Sequence, residues 1–274
     1  MSAIINHVNE QNAANAFSGQ APVFDEIYGG DTIISYKRER VRRHVMRRAK
    51  PGSSMLELNC GTGEDAIYFG GRGFKVHATD ISAGMLYQLV QKVSAHKMNK
   101  RISYELCSYT NLAELKHKGT YDLIFSNFAG LNCTGELDKV LASLSPLLNP
   151  GGLVTLVILP KFCVWEALLL FRGKFRTAFR RFFSGNGRKA RVEGTYFKCW
   201  YYNPSYVIKR MRKDFELVGL EGLCTIVPPS YIEGFAEKRP KAYQFLRKWE
   251  NRLKTKWPWR VIGDYYIISL RKKS

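Results

Sequence analysis

The chain has 274 residues, with 43 Lys and Arg against 23 Asp and Glu, for a formal net charge of +20. At 45% hydrophobic and 13% aromatic residues it is too apolar for a disordered chain, and ordinary Gly and Pro usage excludes a collagen-like or low-complexity protein. No apolar run approaches the roughly 20 residues that span a bilayer, and residues 1–20 lack the basic-then-apolar pattern of a secretory signal, so a cytoplasmic protein is expected. The excess of positive charge suits a phosphate-bearing partner such as a nucleic acid, a membrane surface or an anionic metabolite. Six scattered cysteines form no CxxC pair, and the five histidines are equally dispersed. Free, mostly buried thiols in a reducing compartment are expected, with no structural metal.

In chain order, residues 31–49 read as a basic helix capped by Asp31 or Thr32 and ended by Lys50-Pro51-Gly52, after an ordered approach carrying Phe24, Ile27 and Tyr28. Short apolar runs then alternate with longer amphipathic stretches, the signature of βαβ units. Strands are predicted at 54–58, 75–79, 102–106, 122–126 and 153–159, and helices at 65–72, 83–97 and 135–148. After Pro160 the alternation stops for about forty residues dense in aromatics and bases. Within them Leu168, Phe171, Phe175, Phe179 and Phe182 recur at spacings of 3 and 4, one helical face, with Lys174, Arg176, Arg180 and Arg181 on the others. Packing of that face over the core is the default expectation; peripheral contact with a membrane surface is the alternative. A helix at 204–213, a strand at 215–227, a break at Pro228-Pro229, one or two helices across 231–256 and a last strand at 264–271 complete the chain. The expected organisation is a single domain over 1–274. It comprises an N-terminal cap (1–50), a cofactor-binding core (51–160), an insertion serving as substrate lid (161–203) and a C-terminal completion of the sheet (204–274).

The strongest local signal is Met55-Leu56-Glu57-Leu58-Asn59-Cys60-Gly61-Thr62-Gly63-Glu64-Asp65-Ala66, at the junction of the first strand and its helix. Glycine there lets backbone approach a nucleotide, and exposed amides face the ligand. Asp80 ends the next strand, where a carboxylate can accept both ribose hydroxyls of an adenosine. Gly61-x-Gly63-x-x-Ala66 also satisfies a dinucleotide fingerprint, so an NAD oxidoreductase competes on that match alone. Three features decide otherwise: Glu57 at the end of the first strand, the polar end of the fourth strand at Ser126-Asn127, and the turn Leu147-Leu148-Asn149-Pro150-Gly151-Gly152 into the fifth.

With these motifs the chain resembles the class I S-adenosylmethionine-dependent methyltransferases of the small-molecule type. The resemblance implies an α/β fold with a Rossmann-like seven-stranded sheet, mostly parallel with an antiparallel last strand, a helical N-terminal cap and an aromatic and basic insertion after strand 5. It implies S-adenosyl-L-methionine as cofactor, with Glu57 at its methionine end, Asn59, Gly61 and Gly63 in the loop around it, and Asp80 on the ribose. Ile81 and Met85 would flank the adenine, Ser108 or Tyr109 would meet its edge, Asn127 and Phe128 would lie beside the sulfonium, and Tyr28 would close the pocket. Two departures stand out: Asn59 replaces the first glycine of the motif, and Cys107-Ser108-Tyr109 lacks the acid that often sits near the adenine amino group.

The implied reaction is direct displacement at the sulfonium methyl, which needs alignment and water exclusion more than covalent or metal chemistry. The aromatic insertion favours an O or N atom of a hydrophobic small molecule or lipid-linked metabolite as acceptor, with Cys133, Tyr196, Trp200 and Tyr202 touching it. No catalytic base is identified. His77 reads as buried structure, and His44 and His96 as residues of solvated helix faces. An RNA-modifying methyltransferase, using the basic surface to hold RNA, is the alternative, although residues 128–134 do not match the Asn/Asp-Pro-Pro-Tyr motif of base methylases. A non-catalytic cofactor-binding subunit is a third reading, and oligomeric state is unreadable.

Overall fold

In the computed structural model, which describes residues 2–116, 119–173 and 175–273, the alternation over the first half of the chain becomes one large sheet. Helices α1 (Ser2–Gly29) and α2 (Thr32–Met46) precede β1 (Ser54–Leu58), α3 (Glu64–Gly71), β2 (Lys75–Asp80), α4 (Ala83–Ala95), β3 (Ile102–Leu106), β4 (Tyr121–Ser126), α5 (Leu137–Leu144) and β5 (Leu148–Ile158). The insertion follows with α6 (Val164–Ala167), α7 (Phe175–Ala178), β6 (Arg188–Val192) and β7 (Thr195–Cys199). Then come α8 (Pro204–Met211), β8 (Phe215–Leu223), α9 (Phe235–Lys238), α10 (Pro240–Leu253) and β9 (Tyr265–Lys272).

The seven strands lie in the order β3-β2-β1-β4-β5-β9-β8, and β9 alone runs against its neighbours. Both faces are covered, which is why β1 and β4 read as near-continuous apolar runs rather than alternating ones. The order reverses direction between β1 and β4. In open parallel sheets, the crevice outside the carboxyl ends of the strands at such a reversal is where ligands bind. Among the described residues no helix is long and apolar enough to cross a membrane.

The ordered approach carrying Phe24, Ile27 and Tyr28 is the end of the 28-residue helix α1. Its buried side includes Ala13, Ala14, Ala16 and Ala21 with Asn6, Asn9, Glu10 and Gln20, so no stripe of large apolar residues announces it. Small residues instead permit close approach: a Cβ on Gly84 of α4 would lie 2.9 Å from the Ser18 backbone, and the Ser18 and Ser82 hydroxyls are 2.7 Å apart.

Contrary to expectation, the insertion phenylalanines do not form one helix packed over the core. Gly173, at φ +69, interrupts the run, and Leu168–Arg172 is a separate 3-10 turn. Phe171 is 89% exposed, and Phe175, Phe179 and Phe182 are also exposed. What anchors the segment is buried Arg181, which donates to Glu166 Oε1 (2.8 Å), Asp264 Oδ1 (2.7 Å) and the Asp264 carbonyl (2.9 Å). His44 also departs from expectation. It is fully buried, with Nδ1 2.8 Å from Glu221 Oε1 and Nε2 2.8 Å from Ser269 Oγ, while burial pushes its pKa down. His77 is buried and His96 exposed, as expected.

Candidate active site

A cavity of about 320 Å³ opens at the carboxyl ends of β2, β1 and β4, beneath α1 and α2. Of the residues singled out above, Tyr28, Glu57, Asn59, Gly61, Asp80, Ile81, Met85, Tyr109, Asn127, Phe128 and Cys133 all line it.

The loop after β1 is shaped by three left-handed residues, Asn59 (φ +48), Gly61 (φ +56) and Gly63 (φ +82). Asn tolerates that conformation better than most residues, and here its side chain is also used. Nδ2 donates to the Asn127 carbonyl (2.9 Å), and Oδ1 accepts from Ser126 Oγ (2.6 Å), so Asn59 ties the loop to the end of β4. Gly130 leaves the room: a Cβ there would run into the Asn59 side chain. Gly63 has a different task. It does not line the cavity; a Cβ on it would strike Leu89, so it serves the packing of α3 against α4.

Asp80 accepts the Gly61 amide at Oδ2 (2.9 Å) and the Ser82 amide at Oδ1 (2.8 Å), holding the β1 and β2 loops together with lone pairs still free toward the cavity. Burial pushes its carboxyl pKa up, and the Ser82, Gly61 and Ile81 amides pull it back. Glu57 is almost wholly buried, and its Oε2 has no partner. Burial first, and then nearby Asp65, push its pKa well above the carboxylate range. Asp65 is turned away from this role, paired to Arg42 at 2.6 Å and accepting Asn127 Nδ2 at 2.7 Å.

Ser108 lies off the cavity wall, donating to Glu10 Oε2 (2.8 Å), which also accepts from Thr110 Oγ1 (2.8 Å). A carboxylate from α1 thus meets residues 108 and 110, and the other oxygen of Glu10 is buried without a partner. Nothing local in the sequence pairs a glutamate near the start of the chain with a loop a hundred residues later.

Three of the four residues expected to touch substrate stand elsewhere. Tyr202 is buried in the main core with its hydroxyl donating to the Thr134 carbonyl (2.6 Å); Trp200 packs on the same cluster; Tyr196 is 56% exposed on the β6–β7 hairpin. The reason is α1, which covers the cavity where the insertion was expected to serve as lid. Asn9 of α1 bonds both the amide and the carbonyl of Lys198, and Phe17 packs on Phe197, so the hairpin rests on α1 rather than on the cavity. Conversely, sequence reading missed Lys37, Arg38, Ser230 and Tyr265, which line the cavity's far end from α2, the β8–α9 loop and β9. Beyond the cavity, Cys163, Glu166 and Asp264 bring potential ligand atoms within 4.8 Å of one another, but the Arg181 guanidinium already occupies both carboxylates.

Residues 55–152 match a family model described as a methyltransferase domain. A curated relative, the demethylmenaquinone methyltransferase of Bacillus mycoides (strain KBAB4), is 32% identical over 131 residues, 45% of this chain and 53% of its own. The chain thus spans about half the length of the curated relatives it matches. Among solved structures, the [4+2]-cyclase SpnF superposes with a TM-score of 0.63 at 14% identity, covering 97% of each chain. The Burkholderia thailandensis 1,6-didemethyltoxoflavin-N1-methyltransferase, solved with 1,6-didemethyltoxoflavin and S-adenosylhomocysteine, gives a TM-score of 0.58 at 15% identity over 98% of this chain and 91% of its own. At such identities the superpositions speak for the fold alone. Residues 55–152 thus match a methyltransferase domain in sequence, and the chain shares the fold of these solved structures.

Proposed function

We propose that the protein transfers the methyl group of S-adenosylmethionine to an oxygen or nitrogen atom of a hydrophobic small molecule or lipid-linked metabolite held in the same cavity. The observation that carries this reading is the pairing of two buried carboxylates of different availability. Asp80 presents lone pairs suited to a ribose diol, and Glu57 presents an unpartnered oxygen suited to an ammonium group. When bound, the cofactor supplies an electrophilic methyl on a cationic sulfur. The chain's own part is positional: Ile81, Met85 and Tyr109 offer apolar packing for the base, and the rings of Phe128 and Tyr28 suit a cation. Helix α1 roofs the cavity against water, pinned at its rim by Lys92, which pairs with Asp25 (2.6 Å) and Glu64 (2.7 Å).

Calorimetric titration with S-adenosylmethionine, S-adenosylhomocysteine and NADH tests this directly. Saturable binding of the first two and silence with NADH is the expected result; the reverse pattern would return the glycine loop to the dehydrogenases.

Glu57 adds a pH signature. Its pKa is raised in the free protein, so part of the population holds a proton that an incoming ammonium must expel. Affinity for S-adenosylhomocysteine is expected to rise as pH rises toward that pKa, with a binding heat that depends on the buffer's ionisation enthalpy. Glu57→Gln should abolish the buffer dependence. Identical heats across buffers for the wild-type protein would remove the carboxylate from this role.

The exposed insertion phenylalanines support peripheral contact with a membrane surface as the way such an acceptor is reached. Phe171 and Phe183 are 89% and 70% exposed, beside exposed Arg176 and Arg180. Co-sedimentation with phosphatidylglycerol vesicles at low salt is expected, and Phe171→Ser with Phe183→Ser should weaken it. No sedimentation of the wild-type protein would leave the patch without this role.

A further inference from the structure

The cavity is electrically divided. Toward β1, β2 and the start of α3 its charged groups are Glu57, Glu64, Asp65 and Asp80, of which Asp65 is paired with Arg42 and Glu64 with Lys92; toward α2 they are Lys37 and Arg38. Lys37 is buried, and among the described residues its ammonium makes one hydrogen bond, to Ser230 Oγ at 3.1 Å. Its ion-pair partner Asp264 is 3.8 Å away, beyond hydrogen-bond reach, and is itself committed to Arg181 at 2.7 Å. A lysine ammonium carries three donors, so this one is a buried cation with hydrogen-bonding capacity in reserve. Arg38 has a buried Nε without a partner, and among the described residues its one ion pair is to Glu64 at 3.6 Å.

Aromatic rings separate this end from the other. Phe128, just past β4, meets Tyr265 edge-on at 6.4 Å, Arg38 lies 5.3 Å over the Phe128 ring, and Lys37 lies 4.8 Å over the Tyr265 ring. The phenylalanine expected beside the reacting methyl thus stands directly against the guanidinium of Arg38.

From this juxtaposition, which rests on the proposed function above, we infer that the end of the cavity under α2 is the acceptor subsite and that it selects an anionic oxygen, with Lys37 and Arg38 as its counter-cations. A carboxylate or an ionised acidic hydroxyl would gain charge-assisted hydrogen bonds in a desolvated setting. A neutral acceptor would leave Lys37 underused, and an ammonium would meet like charge. The arrangement also accounts for the cavity wall's lack of histidine among the described residues. Stabilising the ionised form sends the acceptor's proton to solvent on binding. The oxygen lone pair then forms the carbon–oxygen bond as the carbon–sulfur bond breaks, its electron pair staying on sulfur, and no general base is called for.

Four probes test it, titrated into the protein saturated with S-adenosylhomocysteine: octanoate, 1-octanol, octylammonium and 2-naphthol. Octanoate, 2-naphthol or both should bind at least about tenfold more tightly than 1-octanol, as one good charged hydrogen bond supplies, while octylammonium should not bind. Bound 2-naphthol should show the absorbance of naphtholate at neutral pH. The octanoate and naphthol arms distinguish a carboxylate acceptor from an ionisable hydroxyl. Lys37→Met should erase the anion preference and the naphtholate band while leaving the S-adenosylhomocysteine affinity and melting temperature near wild type. Lys37→Arg should restore the preference, and Arg38→Gln, at a less buried position, should reduce it independently. Octylammonium binding as well as octanoate, no binding of either anionic probe, or an unaltered preference in Lys37→Met would overturn the inference. Should S-adenosylhomocysteine itself fail to bind, it is the cofactor reading that falls, and the anion preference is then read in the unliganded protein.

Discussion

Asp80→Ala is expected to weaken S-adenosylmethionine and S-adenosylhomocysteine binding by about 10- to 150-fold, the loss of roughly 1.5–3 kcal/mol that a hydrogen bond to a charged group commands. Two features make the effect local. The carboxylate's pKa is raised by burial, so above the unfolded pKa its ionisation opposes folding, and removing it offsets the loss of its bonds to the Gly61 and Ser82 amides. Its melting temperature should therefore stay close to wild type while affinity collapses. Asp80→Asn, which keeps one acceptor oxygen, should fall between the two. Calorimetry on the three proteins reads this directly, and an Asp80→Ala protein with unchanged affinity would detach the ribose from this position.

The physical reach of each signal decides what was legible beforehand. Strands 54–58 and 102–106 match β1 and β3 to the residue: buried β1 shows a near-continuous apolar run, and edge strand β3 alternates Ile102, Tyr104 and Leu106 with polar residues. The predicted helix at 135–148 shrinks to Leu137–Leu144, since Pro146 sits in a 3-10 turn and β5 begins at Leu148. Asp31 was readable as a cap, and its carboxylate accepts the Ile34 amide at 2.7 Å. Helix α1 was not readable as a helix, because alanines and buried amides replace the usual apolar stripe. The same contrast holds at the cavity. Glu57, Asn59, Gly61, Asp80 and Asn127 sit at or just past the ends of neighbouring strands, and a motif of local spacing brings them together. Lys37, Ser230 and Tyr265 come from three distant segments, and Lys37 is one base among many in a basic helix. His44 shows the limit from the other side: helical periodicity cannot tell a solvated histidine from one that meets Glu221 and Ser269 across the core.

The second large effect is structural and concerns the floor beneath Lys37. Glu250 of α10 is fully buried and accepts three backbone amides, from Cys224 (2.9 Å), Ile226 (3.0 Å) and Val227 (2.8 Å), along with Arg40 Nη1 at 3.2 Å. Arg40, also buried, reaches on to Glu221 Oε2 at 3.3 Å and donates to the Tyr36 hydroxyl at 2.7 Å. Glu221 in turn is shared with His44 and Lys254, which hold its carboxyl below the usual range despite burial. One carboxylate thus fixes α2 against α10 and sets the path of the loop from β8 toward Ser230. Glu250→Ala strips a buried guanidinium and three buried amides at once, and a cost of about 3–5 kcal/mol is expected. In a chain of this size that corresponds to a fall in melting temperature of roughly 10 °C or more. Glu250→Gln should cost less, since its carbonyl oxygen can still accept amides while its NH2 faces donors it cannot satisfy. Where Glu250→Gln remains folded, S-adenosylhomocysteine affinity should hold, because Glu57, Gly61 and Asp80 lie on the other side of the reversal between β1 and β4. Binding of anionic probes should weaken, because Lys37 and Ser230 hang from the elements Glu250 joins. Thermal melts with both titrations separate these outcomes. A Glu250→Ala protein within about 1 kcal/mol of wild type would mean that water replaces the carboxylate at those amides.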